Sequence, residues 1–413
     1  VFREGIRYHI RNGRQRLMTS SWIIVLCVVL LAIAYVFYNF FRIRKMEEGT
    51  SEMVEMAGII RSGASTFMKT EYKTIVIVVI LVAALFSLFV EKTSGITFIM
   101  GSLMSSIVCV LGMRSATYAN VRTANKARQS LSIGETVKVA LCGGSISGLS
   151  VQAFGMLGLV AVLLIWGVDK DATGTGFLAN LTCNPSIMRI SCYSLGCSLV
   201  AMFNRVAGGN YTKAADISSD ILAKLRHDMP EDDSRVPNVV ADFIGDNVND
   251  IAGNCSDLLE SFVATMSASI MIALTVFQKA TGIGEATFNA TIIYPIVLAG
   301  CGLLGCVLGL GFASIRKMGD NPSRELNLAT YISSGLTVVL GLVAGVPVIA
   351  QFAATGLVPK LPTALLAVGL VFVGLLCFAC GLILDTVVKG NRKQYEIEVT
   401  EAYERYGRSN TAK

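Results

Sequence analysis

Five carboxylates crowd into ADFIGDNVNDIAGNCSDLLESF, residues 241–262: Asp242, Asp246, Asp250, Asp257 and Glu260. At about 100° per residue, one uninterrupted helix would hold all five within an arc of roughly 80°. No proline between Asn238 and Phe277 forbids such a helix. Carboxylates at i, i+4 and i+8 are hard oxygen ligands pointing one way, the type that selects Mg²⁺, Ca²⁺ or Mn²⁺ over softer metals. A neighbouring carboxylate can orient a water for attack. With His9 and His227 the only histidines and no thiol cluster at ligand spacing, the composition speaks against zinc.

The preceding stretch, FNRVAGGNYTKAADISSDILAKL (203–225), passes the same angular test. Arg205, Lys213, Asp216 and Asp220 fall within about 80° of one another. The acidic turn HDMPEDDSRVP (227–237) joins the two segments, so their ionic stripes can face each other as antiparallel neighbours. Mg²⁺ prefers one or two carboxylates plus substrate phosphate oxygens. Lys213, with Lys224 further along, would complement such a phosphate. A solvated pair of helix ends accounts for Asp216, Asp220 and Asp242, but not for the depth of the rest. Asp242 and Glu260 are separated by about 27 Å of helix, close to the thickness of a bilayer's hydrocarbon. Arg205 lies about two turns below Lys213. Charges at membrane depth cost several kcal/mol unless paired or wet, so Arg205, Asp257 and Glu260 read as functional.

The elements that carry these groups are membrane helices. Of 413 residues, 53% are hydrophobic and 15% charged, against roughly 25% charged in soluble domains; mean hydropathy is +0.61. Apolar runs recur near 20–41, 74–90, 96–118, 138–168, 188–210, 251–278, 291–315, 327–358 and 362–384. The expected fold is an all-α, polytopic integral membrane bundle of about nine spans. It is read as one membrane domain over 1–413: a basic arm (1–19), helices one to five (20–210), an acidic site region and coupling helix (211–262), the remaining helices (263–388) and a polar tail (389–413). The first run is too long for a cleavable signal peptide. Segment 51–74 reads as an amphipathic helix ahead of the second span.

Under alternation, one set of loops collects Arg42, Arg44, Lys45, Arg61, Arg114, Arg122, Lys213, Lys224 and Arg316, while the other holds little beyond Lys92, Lys170, Lys279 and Lys360. Basic loops stay cytoplasmic, which puts the carboxylates on the cytosolic side of a cell membrane. The arginines of the N-terminal arm run against this pattern. The eleven cysteines, mostly inside apolar runs, read as packing, Cys377 and Cys380 included. The bilayer is the expected surroundings, and nucleic acid is not an expected partner.

RVAGGNYTKAADISSDILAKL, followed by PEDDSRVPNVVADFIGDNVNDIAGNCSDLLESF, resembles the signature of membrane-bound, ion-pumping inorganic pyrophosphatases, and GASTFMKTEYKT resembles their second-helix entrance. The resemblance covers roughly 50–390. It implies Mg²⁺-dependent hydrolysis of inorganic pyrophosphate coupled to export of Na⁺ or H⁺, in some members with K⁺, by homodimers of about sixteen helices per chain. Carried over, Lys213 contacts pyrophosphate; Asp216, Asp220, Glu231, Asp242, Asp246 and Asp250 form the magnesium-binding hydrolytic centre. Asp250 is one of two aspartates holding the attacking water. Arg205, Asp257 and Glu260 form the coupling path and ion gate. Glu260 sits where sodium-transporting members, and some proton pumps, carry a glutamate. Phe243 stands where the family has Asn, Asn249 where it has Gly, Ser218 where it has Gly, and Asn210 replaces an apolar residue. The family's later aspartate-rich helices have no counterpart after the ninth run, so the chain is expected to be a fragment or a half-length relative. The alternative reading from residues alone is a secondary transporter or cation channel whose acids merely bind ions.

Overall fold

A computed structural model describes residues 20–168, 184–226, 229, 236, 238–279, 285–317 and 322–355. The chain forms two compact units, Val1–Leu340 and Gly341–Lys413. The described residues are helical: α1 Ser20–Arg44, α2 Ser51–Phe89, α3 Ser94–Ser130, α4 Ile133–Trp166, α5 Pro185–Asp220, α6 Asn238–Asp246, α7 Asn254–Lys279, α8 Glu285–Ile315 and α9 Pro322–Thr355, with π-helical segments at Ile221–Arg226 and Asn247–Gly253. Eight helices among the described residues are long and apolar enough to cross a bilayer. This all-α, multi-span architecture is what apolar sequence demands, since a backbone in lipid must satisfy its own hydrogen bonds. The run at 362–384 lies outside the described residues.

The amphipathic segment at 51–74 and the second span prove to be one helix, α2, because nothing between them breaks it. Thr50 caps its start, accepting from the Met53 amide at 3.4 Å. Its 39 residues make a rod of about 58 Å, roughly twice the hydrocarbon thickness. Helix α5 begins with Pro185, and the Asn184 side chain accepts from the Ser186 amide at 2.8 Å, a capped start with proline in the first turn. Its 36 residues likewise exceed a span, and the surplus carries Lys213, Asp216 and Asp220.

On α1 and α2, Ile23, Leu30, Ile77, Ile80 and Leu81 are exposed, a band that belongs in lipid. Inside, Ile146, Met156, Leu159, Tyr193, Leu259 and Ile270 are fully buried where α4, α5 and α7 meet. Helices α3 and α5 approach through Gly101 and Gly196: a Cβ on Gly196 would fall on the Phe98 carbonyl, and one on Gly101 on the Tyr193 carbonyl. Small residues give membrane helices this close contact, and the Ser102 hydroxyl uses it to donate to the Gly196 carbonyl at 3.1 Å.

Outside the spans, Glu48 in the α1–α2 loop bridges Arg61 and Arg122, each at 2.9 Å. Both guanidiniums also lie over the Tyr118 ring, at 4.5 and 5.4 Å from its centroid. Burial pushes the Glu48 carboxyl up, but the hydrogen bonds and charges of the two arginines outweigh it and hold it below the ordinary range. This knot fixes the ends of α1, α2 and α3 on the side where the carboxylates emerge.

Candidate active site

The site is built on one seam. A Cβ on Gly245 would lie 2.9 Å from the Thr212 Cα, one on Gly208 3.3 Å from the Asn249 Cα, and one on Gly253 3.7 Å from the Asn204 carbonyl oxygen. Each step of four residues back along α5 is matched by four forward from α6 into the following segment, so the two run antiparallel in register. That register sets Lys213 level with the stretch between Asp242 and Asp246. The Lys213 ammonium donates to Asp216 at 2.9 Å and feels the charges of Asp242 and Asp246 across the seam. One turn on, Lys224 donates to Asp220 at 2.9 Å.

Substituting Gly245 therefore tests the seam. Gly245→Ala puts a methyl closer to backbone than side chains tolerate and should cost about 1–3 kcal/mol, lowering the thermal midpoint. Gly148→Ala, in the interior of α4 where a Cβ meets nothing within 4 Å, should leave it unchanged or raise it slightly, alanine being the better helix former. Equal behaviour of the two variants would contradict the packed seam.

The single continuous helix expected from residue 238 to 277 is not what forms. It widens into a π-helical segment at Asn247–Gly253. The side-chain amides of Asn247 and Asn254 bracket this segment and donate to the carbonyls four residues earlier, Phe243 and Asp250, each at 2.8 Å. Such segments recur at functional sites. The single stripe consequently divides. Asp242 is buried, Asp246, Asp250 and Asp257 are exposed, and Glu260 is half-buried with its carboxylate accepting from the Ser198 hydroxyl at 2.6 Å.

Arg205 is exposed and donates to Asn254, whose amide holds the Asp250 carbonyl. Asn254 therefore joins the Asp250 backbone to the guanidinium below. Asn254 and Ser198 were not singled out by sequence. Ser198 lies seven residues before Arg205, hence nearly on its face, which was the available signal. Of the departures from the family pattern, Asn249 fits against Gly208 and donates to the Asp250 carboxylate at 3.1 Å, while Phe243 is exposed. Glu231 lies outside the described residues.

The sequence pattern of the family described as inorganic H⁺ pyrophosphatase matches residues 30–405. The chain belongs to this family. A K⁺-stimulated pyrophosphate-energized sodium pump of Thermotoga maritima is 43% identical over 330 residues, 76% of this chain and 45% of its own length. A K⁺-insensitive pyrophosphate-energized proton pump 2 of Moorella thermoacetica is 34% identical over 313 residues, 75% of this chain and 42% of its own. Pyrophosphate-energized membrane proton pump 3 of Arabidopsis thaliana is 32% identical over 292 residues. The chain thus spans less than half the length of these relatives.

The magnesium that the resemblance implies would need oxygen donors. Among the described residues no three of His, Cys, Asp or Glu converge into a closed metal cage. Five aspartates nonetheless face or flank one seam, two of them beside lysines. All-oxygen donors in ones and twos suit a cation that keeps its waters and completes its shell on phosphate.

Proposed function

We propose that the protein to which this chain belongs hydrolyses inorganic pyrophosphate on the face carrying Lys213 and uses the energy to export Na⁺ or H⁺. The observation that supports this most is the glycine-packed, in-register seam, which sets Lys213 and Asp216 of one helix within about a turn of Asp242 and Asp246 of the other. On this reading Asp216, Asp220, Asp242, Asp246 and Asp250, with Glu231, hold Mg²⁺. Bound there, the cation would neutralise phosphate charge. Lys213 and Lys224 orient the substrate, each able to exchange its aspartate for a phosphate oxygen. Asp250 accepts the proton of the attacking water, and no phosphoenzyme forms. Asn254 transmits movement of the Asp250 backbone to Arg205. Below it, Asp257 and Glu260 carry the transported ion, with Ser198 steadying Glu260.

The basic loops argue for a cytosolic site in a cell membrane, and the family reading adds assembly as a homodimer. Names of the relatives include both K⁺-stimulated and K⁺-insensitive pumps, so K⁺ is part of the reading to be tested. Membranes containing the full-length protein should release phosphate from pyrophosphate only with Mg²⁺. Sealed vesicles should take up Na⁺, or acidify in a protonophore-sensitive way, with K⁺ present and absent as arms. No phosphate release above that of empty membranes would overturn the enzymatic reading.

A further inference from the structure

Helix α2 turns Ala57, Ala64, Met68, Glu71, Ile75, Val79 and Ala83 inward. One carboxylate interrupts an otherwise apolar stripe. Glu71 is 9% exposed, and neither of its side-chain oxygens has a hydrogen-bond partner among the described residues. Its depth follows from the α2–α3 register. Arg61 meets the Thr117 carbonyl and, eleven residues later, Tyr72 meets that of Ser106, so Glu71 is level with Ile107 of the α3 apolar run 96–118, one turn ahead of the α2 run 74–90.

The ionisable groups that face it are Tyr72 on its own helix and Cys109 on α3, both ordinarily uncharged at neutral pH. From α5 comes Asn204, which is 1% exposed, donates to the Cys109 sulfur at 3.1 Å and leaves its own carbonyl oxygen unpartnered. Arg205, the next residue, is directed to Asn254 instead. From α6, contact comes two turns higher, where Ile244 fills the space beside Gly63. The Ser105 hydroxyl is also buried and unpartnered. An ionised carboxylate among neutral groups would go uncompensated, and among the described residues no cation is placed to meet it. A proton compensates it completely.

We propose that Glu71 is a proton-binding site inside the membrane, occupied at neutral pH and separate from the Asp257–Glu260 gate. The site does not rest on the hydrolytic reading, and its test needs no turnover. Infrared spectra of the chain in native membranes, wild type minus Glu71→Gln, should show the carbonyl band of one protonated carboxyl at pH 7, shifting in D₂O. An ordinary glutamate, with a value of about 4.3, is neutral in roughly one molecule in 500 at that pH, so the band's intensity separates the cases by that factor. Glu71→Asp should keep the band at a displaced position, and this holds the test open should the glutamine variant fail to fold. Absence of the band overturns the proposal. A band that vanishes when Na⁺ replaces choline also overturns it, because the site would then hold a metal cation.

Discussion

Asp250→Asn should lower Mg²⁺-dependent phosphate release by about 10²–10⁴-fold, the usual contribution of a positioned general base, while the protein melts at the wild-type temperature. The two readouts separate because Asp250 has two distinct jobs. Its backbone carbonyl accepts from Asn254 and so belongs to the line leading to Arg205; asparagine keeps that carbonyl. Its side chain is exposed and accepts from the neighbouring Asn249 at 3.1 Å; asparagine can still accept there, but it cannot take a proton from water. Exposed substitutions that disturb no packing are worth within about 0.5 kcal/mol. Undiminished release would remove Asp250 from the chemistry. A lowered melting temperature would instead make the π-helical segment, and not the carboxylate, the reason for any loss.

Much of this arrangement could be read in the chain, and the parts that could not have definite causes. Apolar runs of about 20 residues announce the spans because lipid leaves a backbone no other solution. Register between α5 and α6 was half visible: the acidic turn predicted antiparallel neighbours, yet only the coordinates show Gly208, Gly245 and Gly253 setting the spacing. An ideal helix gathers the five carboxylates into one arc, and the chain departs from that ideal at Asn247–Gly253. Two asparagines that look like ordinary polar fillers donate to backbone carbonyls, and periodicity carries no trace of such side-chain bonds. Glu260 stands out in the sequence by its expected depth, but its partner Ser198 is a small residue that composition never flags. Glu71 escaped for the opposite reason. In KTEYK it sits between Lys69 and Lys73, and a charged stretch ahead of a span reads as solvated until the helix phase turns that one residue inward.

Glu91→Ala should destabilise the protein by about 3–5 kcal/mol, the cost of stranding one member of a buried ion pair. Glu91 closes the short turn between α2 and α3. Its carboxylate receives the Arg189 guanidinium of α5 at 3.1 Å, the Thr93 amide at 3.2 Å and the Ser94 hydroxyl at 3.4 Å. Arg189 also donates to the Thr93 hydroxyl at 2.8 Å. The two side chains are only 7% and 17% exposed, so the arginine left behind in the alanine variant cannot simply move into water. Burial pushes the Glu91 carboxyl up, yet the bonds from Arg189 and Thr93 prevail and hold it below the ordinary value of 4.5. A value lowered by folding means stability present above 4.5 and lost as pH falls through the folded value. Thermal midpoints should therefore separate wild type from Glu91→Ala at neutral pH and converge in acid. Replacing both partners, Glu91→Leu with Arg189→Leu, should recover most of the loss, since apolar pairs of similar volume often match a buried ion pair. A double variant as unstable as the single one would show that the geometry of the turn, and not the stranded charge, is what holds α2, α3 and α5 together at this end.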